Sequence, residues 1–247
     1  MNRPLSIPSF EKEVQLEPLH DLGYQIIPSL YSESEVERIA ESIDEFATDV
    51  HNQSRSSELF SVRSLLVQFP ELQSLLFNQN LTRILESHFE GNYFLSKSIY
   101  FDKPSASNWF VAYHQDLSIS VDRKTDVRGY SNWTQKHGLY GVQPPLQIVG
   151  KTLTVRIHLD DTNAENGALR VIQRSHKQGI VRVAQKQWNP ADEVICAVRR
   201  GGAMLMKPLT LHASSRTTNG RRRRVIHLEF CDEELEQPLR WMERIDL

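Results

Sequence analysis

Lys151-Thr152-Leu153-Thr154-Val155-Arg156-Ile157-His158-Leu159 alternates cleanly between apolar and polar residues. On a strand this places Leu153, Val155, Ile157 and Leu159 on one face and Thr152, Thr154, Arg156 and His158 on the other. Asp160 to Gly167 is built of turn formers, and Ala168-Leu169-Arg170-Val171-Ile172 reads as the next strand. The same texture extends outward. Tyr93 to Phe101 and Phe110 to Leu117 read as strands upstream, and further short strands are expected at Val194–Val198, Ala203–Met206, Leu209–Ser214 and Arg223–Phe230.

The N-terminal third has a different period. Residues 1–22 are rich in proline and charge and read as an irregular lead-in, and Gly23–Ile27 as a short strand. Ser32 and Glu35 form a capping box ahead of Val36, Ile39, Ala40, Ile43 and Ala47, which recur at helical spacing. Residues 48–64 read as a polar, Ser-rich loop. A second helix is expected from Glu71 to Phe89, opened by Pro70 and stopped by Gly91, with Leu72, Leu75, Leu76, Leu81, Ile84, Leu85 and Phe89 toward the core. Helices first and many short strands after predict a mainly β chain: an antiparallel double-sheet barrel with helices packed outside. No linker or repeat divides it, so one domain is expected over 1–247, helical over about 1–92 and barrel over about 93–230. Residues 118–150, with Gly129, Gly138, Gly141, Pro144-Pro145, Tyr130, Trp133 and Tyr140, read either as a lid or as a packed surface excursion.

Composition narrows the function. The chain has 247 residues, 39% hydrophobic and 24% charged, which suits a globular domain with a sizeable core. A net charge of -2 gives no overall electrostatic case for nucleic acid or an anionic membrane. No apolar run approaches membrane-spanning length, and the first residues lack a signal-peptide core. Two cysteines, Cys196 and Cys231, provide neither a disulfide framework nor zinc spacing, so a cytoplasmic location is expected.

The residues with chemistry begin at Trp109-Phe110-Val111-Ala112-Tyr113-His114-Gln115-Asp116. On a strand, His114 and Asp116 share a face. An imidazole and a carboxylate side by side can supply two ligands of a 2-His-1-carboxylate triad, which holds Fe(II) and leaves positions open. The third ligand should be a histidine far along the chain, and His212 fits.

Around this pair the chain resembles the phytanoyl-CoA dioxygenase family. The resemblance is carried by Leu159-Asp160-Asp161, Asn166-Gly167-Ala168-Leu169-Arg170-Val171-Ile172, Ser175-His176 and Gly179, together with His114-x-Asp116 and His212 in the same order. It departs at Gln173-Arg174, where the family has Pro-Gly, and this alters a turn. The resemblance implies a double-stranded β-helix, or cupin-like jelly roll, with Fe(II) on His114, Asp116 and His212 and with 2-oxoglutarate and O2 as co-substrates. Beyond His212 it implies roles for Ser214, Asn219 and Arg223. Arg223 would bind the distal carboxylate of 2-oxoglutarate, since a planar guanidinium meets a carboxylate with two hydrogen bonds. Arg221 shares its strand face and is the fallback. Lys103 resembles a lysine found ahead of the H-x-D in relatives. His176 reads as part of the fold and His158 as a structural histidine.

The implied reaction is decarboxylation of 2-oxoglutarate to succinate, coupled to hydroxylation of an unactivated C–H bond in a small molecule. Asp116 supports it, because related halogenases have Gly or Ala there; desaturation is a related outcome. Candidate substrate contacts are Arg156, if its face lines the barrel, Lys103, Trp133 and His137, with Trp109, Phe110 and Tyr113 near the mouth. Three other readings compete, one of them a degenerate family member that keeps the fold without catalysis, against which retention of all three ligands and the Arg argues. A cupin-like metalloenzyme without 2-oxoglutarate would not need Arg223. A binding module would use Arg221-Arg222-Arg223-Arg224 on an acidic partner or nucleic acid.

Overall fold

The structure, a computed structural model, describes residues 15–53, 60–103, 110–136, 138–185 and 187–247. The lead-in holds a short helix, α1 (Glu17–Leu22), where an irregular segment was expected, with Leu19 fully buried. β1 (Tyr24–Ile27) follows. α2 (Glu33–Gln53) starts at the predicted box: Ser32 N donates to Glu35 Oε2 at 2.7 Å, and Glu35 N donates to Ser32 Oγ at 3.3 Å. Val36, Ile39, Ala40 and Ile43 are buried as their spacing requires. The stretch 48–64 read as loop is instead entered by α2 as far as Gln53 and ends in a strand, β2 (Phe60–Arg63). The readings at Trp109, at His137 and at the side chain of Ala47 lie outside the described residues.

The helix expected over Glu71–Phe89 is broken. An unexpected short helix, α3 (Leu65–Gln68), precedes Pro70, and over the expected span the chain forms a 3-10 turn at Pro70–Leu72, then two helices, α4 (Gln73–Leu76) and α5 (Gln79–His88). Asn78 is the cause. Its carboxamide accepts from Leu81 N at 2.9 Å and caps a new helix, which a periodicity count overlooks. The apolar residues still reach one core.

The remaining elements are β3 (Phe94–Lys103), β4 (Val111–His114), β5 (Ile119–Val121), β6 (Ser131–Lys136), β7 (Leu139–Gln143), α6 (Leu146–Gly150), β8 (Thr152–His158), β9 (Leu169–Ile172), β10 (Glu193–Cys196), β11 (Ala203–Met206), β12 (His212–Ser214), β13 (Arg223–Cys231) and β14 (Ile245–Asp246). With β1 and β2, all of these strands except β5, β6 and β7 form the two sheets of a jelly roll. The larger has order β1-β11-β8-β13-β3-β14, with β2 also paired to β3; the smaller is β10-β9-β12-β4. All strand pairs are antiparallel.

The outer face of the large sheet carries Leu153, Val155, Ile157, Leu205, Ile226, Leu228 and Phe230 into the helix core. Each such side chain contributes roughly 1.5–3 kcal/mol by leaving water. By alternation the inner face is polar, and it faces the small sheet. Residues 118–150 form a third antiparallel sheet, β5-β7-β6, closed by α6. Ile119, Val121, Tyr130, Val142 and Ile148 pack with Phe94, Leu239 and Trp241. Among the described residues no helix is long and apolar enough to cross a membrane.

Candidate metal centre

β12 and β4 pair so that His212 stands directly opposite His114, with ring centroids 4.2 Å apart. Each ring is oriented by its own backbone. His114 Nδ1 lies 2.9 Å from Ala112 O, and His212 Nδ1 lies 2.9 Å from Thr210 O. A carbonyl only accepts, so Nδ1 carries the proton in both rings and Nε2 keeps its lone pair. The two Nε2 atoms point at one carboxylate: His114 Nε2 is 3.8 Å from Asp116 Oδ1, and His212 Nε2 is 3.6 Å from Asp116 Oδ2. All three ligand atoms lie within 4.8 Å of one another. Two neutral imidazoles and a carboxylate on one side of a cavity fit a divalent first-row metal.

Asp116 reaches this position by a route other than the one expected. β4 ends at His114, so the two residues are not on one regular strand. Asp116 N donates to Pro208 O at 3.0 Å. Gln115 turns the other way and anchors the segment, donating to Gly179 O and Leu209 O at 2.8 and 2.6 Å and accepting from Val181 N at 2.8 Å. Sequence reasoning missed Gln115, because an amide between two ligands gives no signal until its partners are placed.

The centre favours an ionised Asp116 and an unprotonated His212. Loss of water around Asp116 opposes its charge, but His212, His227, His114 and Lys97 override that and hold the carboxyl below its usual range. Burial pushes His212 down to about 4, against the pull of Asp116.

The centre lines a cavity of about 550 Å³. Arg223 lies within it, 6% exposed, and donates through Nη1 to Gly167 O, while its Nε has no partner. Strand alternation separates it from its neighbours. Arg222 faces Asp102 and Asp44, Arg224 faces Asp160 and Asp44, and Arg221, the fallback, is exposed ahead of β13. Burial, then repulsion from Arg156, lowers Arg223 to about 10. Ser214 also lines the cavity and donates to Gly167 O at 3.0 Å.

Arg156 lines the cavity and is 8% exposed, so the polar face of β8 is the interior one. Its Nη1 is 2.9 Å from His227 Nδ1. A guanidinium only donates, so His227 accepts at Nδ1 and its Nε2–H donates to Glu229 Oε1 at 3.0 Å. Lys97 Nζ closes the row at 2.7 Å from Glu229. His227 and Glu229 were missed, although alternation from Arg223 along the predicted strand places both on its face. His158 is buried, held at Nδ1 by Thr162 Oγ1 at 2.7 Å, and lowered well below its ordinary value by burial, Arg156 and Arg223.

Four candidates fall elsewhere. Trp133 is half-buried against the core of the third sheet, while Asn132 and Thr134 on either side of it line the cavity. Lys103 is buried opposite Arg223 and donates to Ser215 O at 2.9 Å, outside the cavity lining. Phe110 is exposed, and the Tyr113 hydroxyl donates to Glu193, so neither forms the cavity wall. His176 bonds to His20 O at 3.1 Å, consistent with a role in the fold.

Solved structures share this architecture. The non-haem α-ketoglutarate-dependent carbocyclase SnoK from nogalamycin biosynthesis is 19% identical, with a TM-score of 0.64 over 94% of this chain and 88% of its own. HygX from Streptomyces hygroscopicus, with nickel and 2-oxoglutarate bound, is 16% identical, with a TM-score of 0.63 over 89% of this chain and 87% of its own. The non-haem monooxygenase ThoJ is 15% identical, with a TM-score of 0.67 over 87% of this chain and 76% of its own. No curated protein matches by sequence. The sequence does match a family over residues 19–225, a span holding the His-x-Asp pair, the second histidine and Arg223. The chain therefore belongs to the phytanoyl-CoA dioxygenase (PhyH) family.

Proposed function

We propose that this protein is a non-haem Fe(II)/2-oxoglutarate-dependent dioxygenase that hydroxylates an unactivated C–H bond of a small molecule, with release of succinate and CO2. The observation that carries this reading is the pairing of two features in one cavity. Two imidazole Nε2 atoms and one carboxylate converge, and a buried guanidinium with no ion pair among the described residues lies beside them. Family membership supports it, as do neighbours that hold iron or 2-oxoglutarate.

In this reading His114, Asp116 and His212 hold the metal, which when bound activates O2 at its open positions. Arg223 receives the distal carboxylate of 2-oxoglutarate. Ser214 and Gly167 O fix the approach of that guanidinium, since both donors share one carbonyl. The cavity walls limit water, and the protein supplies orientation rather than a proton donor or acceptor. A cupin-like site without 2-oxoglutarate leaves the buried charge of Arg223 unexplained.

The test is an anaerobic titration of metal-free protein with Fe(II) and then 2-oxoglutarate, read by visible absorption. A metal-to-ligand charge-transfer band should form, and His212→Ala should abolish it. Arg223→Ala should require about 30-fold more 2-oxoglutarate or beyond, the equivalent of about 2 kcal/mol for one half of a buried charge pair. Folded wild-type protein that gives no band overturns the reading.

A further inference from the structure

Among the described residues, the cavity is lined by five cations, Arg63, Lys97, Lys136, Arg156 and Arg223, and two carboxylates, Asp116 and Glu229. That leaves three positive charges in excess. A divalent metal and dianionic 2-oxoglutarate cancel each other, so loading the site leaves the same excess. The charges can be assigned one by one. Lys97 is bound to Glu229 at 2.7 Å, and Asp116 faces the metal position. Arg223 takes the keto acid. Arg63 and Lys136 sit exposed at the rim without an ion pair among the described residues, where water solvates them.

Arg156 is different. It is 8% exposed, forms no ion pair among the described residues, and has one hydrogen-bond partner, His227. Its Nε is buried without a partner. The row behind it accounts for this. Arg156 and His227 are cross-strand partners on β8 and β13, and Glu229 and Lys97 are partners on β13 and β3. The negative charge of Glu229 is consumed by Lys97, and His227 is fixed as a neutral acceptor. The row therefore holds Arg156 in place without neutralising it. A buried guanidinium kept rigid and uncompensated is built to meet an anion.

We propose that the substrate is a small organic carboxylate and that Arg156 receives its carboxylate group, with Arg63 and Lys136 drawing anions to the mouth. This rests on the oxygenase reading, which supplies the dianion that Arg223 takes. A planar carboxylate matches the guanidinium edge that His227 leaves free. The cavity, about 550 Å³, is large enough for 2-oxoglutarate and a small substrate together.

The experiment uses the full chain loaded anaerobically with Mn(II) and 2-oxoglutarate. Uptake of 2-oxoglutarate is measured first and reads the oxygenase proposal alone. Calorimetric titration with three matched pairs then reads the anion: hexanoate and hexanamide, phenylacetate and phenylacetamide, N-acetyl-leucine and its amide. At least one acid should bind about tenfold or more tightly than its amide. Arg156→Gln should reduce that preference to about twofold, while 2-oxoglutarate affinity stays within about threefold. Arg156→Lys, which keeps the charge, should retain part of the preference and shows that any loss is not misfolding. The proposal is overturned if no acid outbinds its amide, if the preference survives Arg156→Gln, or if Arg156→Gln weakens 2-oxoglutarate binding as much as Arg223→Ala does.

Discussion

His114 and His212 use the same device: each ring donates Nδ1–H to the carbonyl two residues earlier, which aims Nε2 into the cavity. Glu229 does comparable work behind them. It accepts from His227 and from Lys97 at once, and although burial opposes its ionisation, those neighbours keep its carboxyl below the ordinary range. Glu229→Leu leaves the Lys97 ammonium without its counter-charge, held only by Ser118 O at 2.7 Å, and the His227 N–H without its acceptor. Removing one partner of a buried pair costs about 3–5 kcal/mol, and replacing both by apolar residues is often close to neutral. The expected result is a large drop in urea midpoint for Glu229→Leu, mostly recovered in the double variant Lys97→Met/Glu229→Leu. A single variant within about 0.5 kcal/mol of wild type contradicts this account of the row.

At the scale of elements, the turn between β8 and β9 is as important as the strands. Gly167 sits at φ 81, in the left-handed region, and its carbonyl accepts from both Arg223 and Ser214. A Cβ there would lie 2.6 Å from Ser215 O. Gly167→Ala is therefore expected to lose more than about 1 kcal/mol of stability. It should also weaken 2-oxoglutarate binding through Arg223 while leaving metal affinity intact, a split readable in the same two-step titration. Equal loss at both steps would indicate general damage instead. At the other end of the chain, the Ser32–Glu35 box starts α2, so Ser32→Ala should cost about 1 kcal/mol in denaturant midpoint without altering either ligand.

For the whole metal-free molecule, buried histidines predict acid lability. Burial and Lys207 push His88 down to about 3, burial lowers His212 to about 4, and His158 lies well below 6.5. The unfolded chain takes up these protons as pH falls through about 6.5, whereas the folded chain does not until near its own lower values. Unfolding thus binds protons across that window, and stability falls as pH drops. Each group contributes up to about 1.36 kcal/mol per pH unit. Urea midpoints measured from pH 7 to pH 4 should decline steeply below 6.5, and His88→Leu should flatten the decline. A midpoint constant from pH 6.5 to 4.5 would contradict it.

The sequence by itself pointed to a double-sheet barrel, to one apolar and one polar face on β8, and to His114, Asp116 and His212 as candidate ligands, because strand periodicity and residue chemistry are local properties that a linear pattern records; which face of β8 lines the barrel was left to the tertiary structure. Arg223 was favoured by its spacing from His212 in the family resemblance, with Arg221 left as an alternative on the same strand face; the structure buries Arg223 in the cavity while Asp102, Asp44 and Asp160 hold Arg222 and Arg224. Only the tertiary structure decided how Asp116 leaves its strand, because the Gln115 anchors come from residues 179–181 and 209. It also decided that Asn78 divides a helix, that Trp133 turns away from the cavity, and that residues 118–150 close as a sheet against Phe94 and Trp241. The row of Arg156, His227, Glu229 and Lys97 belongs to this second group. Its members come from three strands, and register between strands, which no single stretch of sequence contains, makes them neighbours.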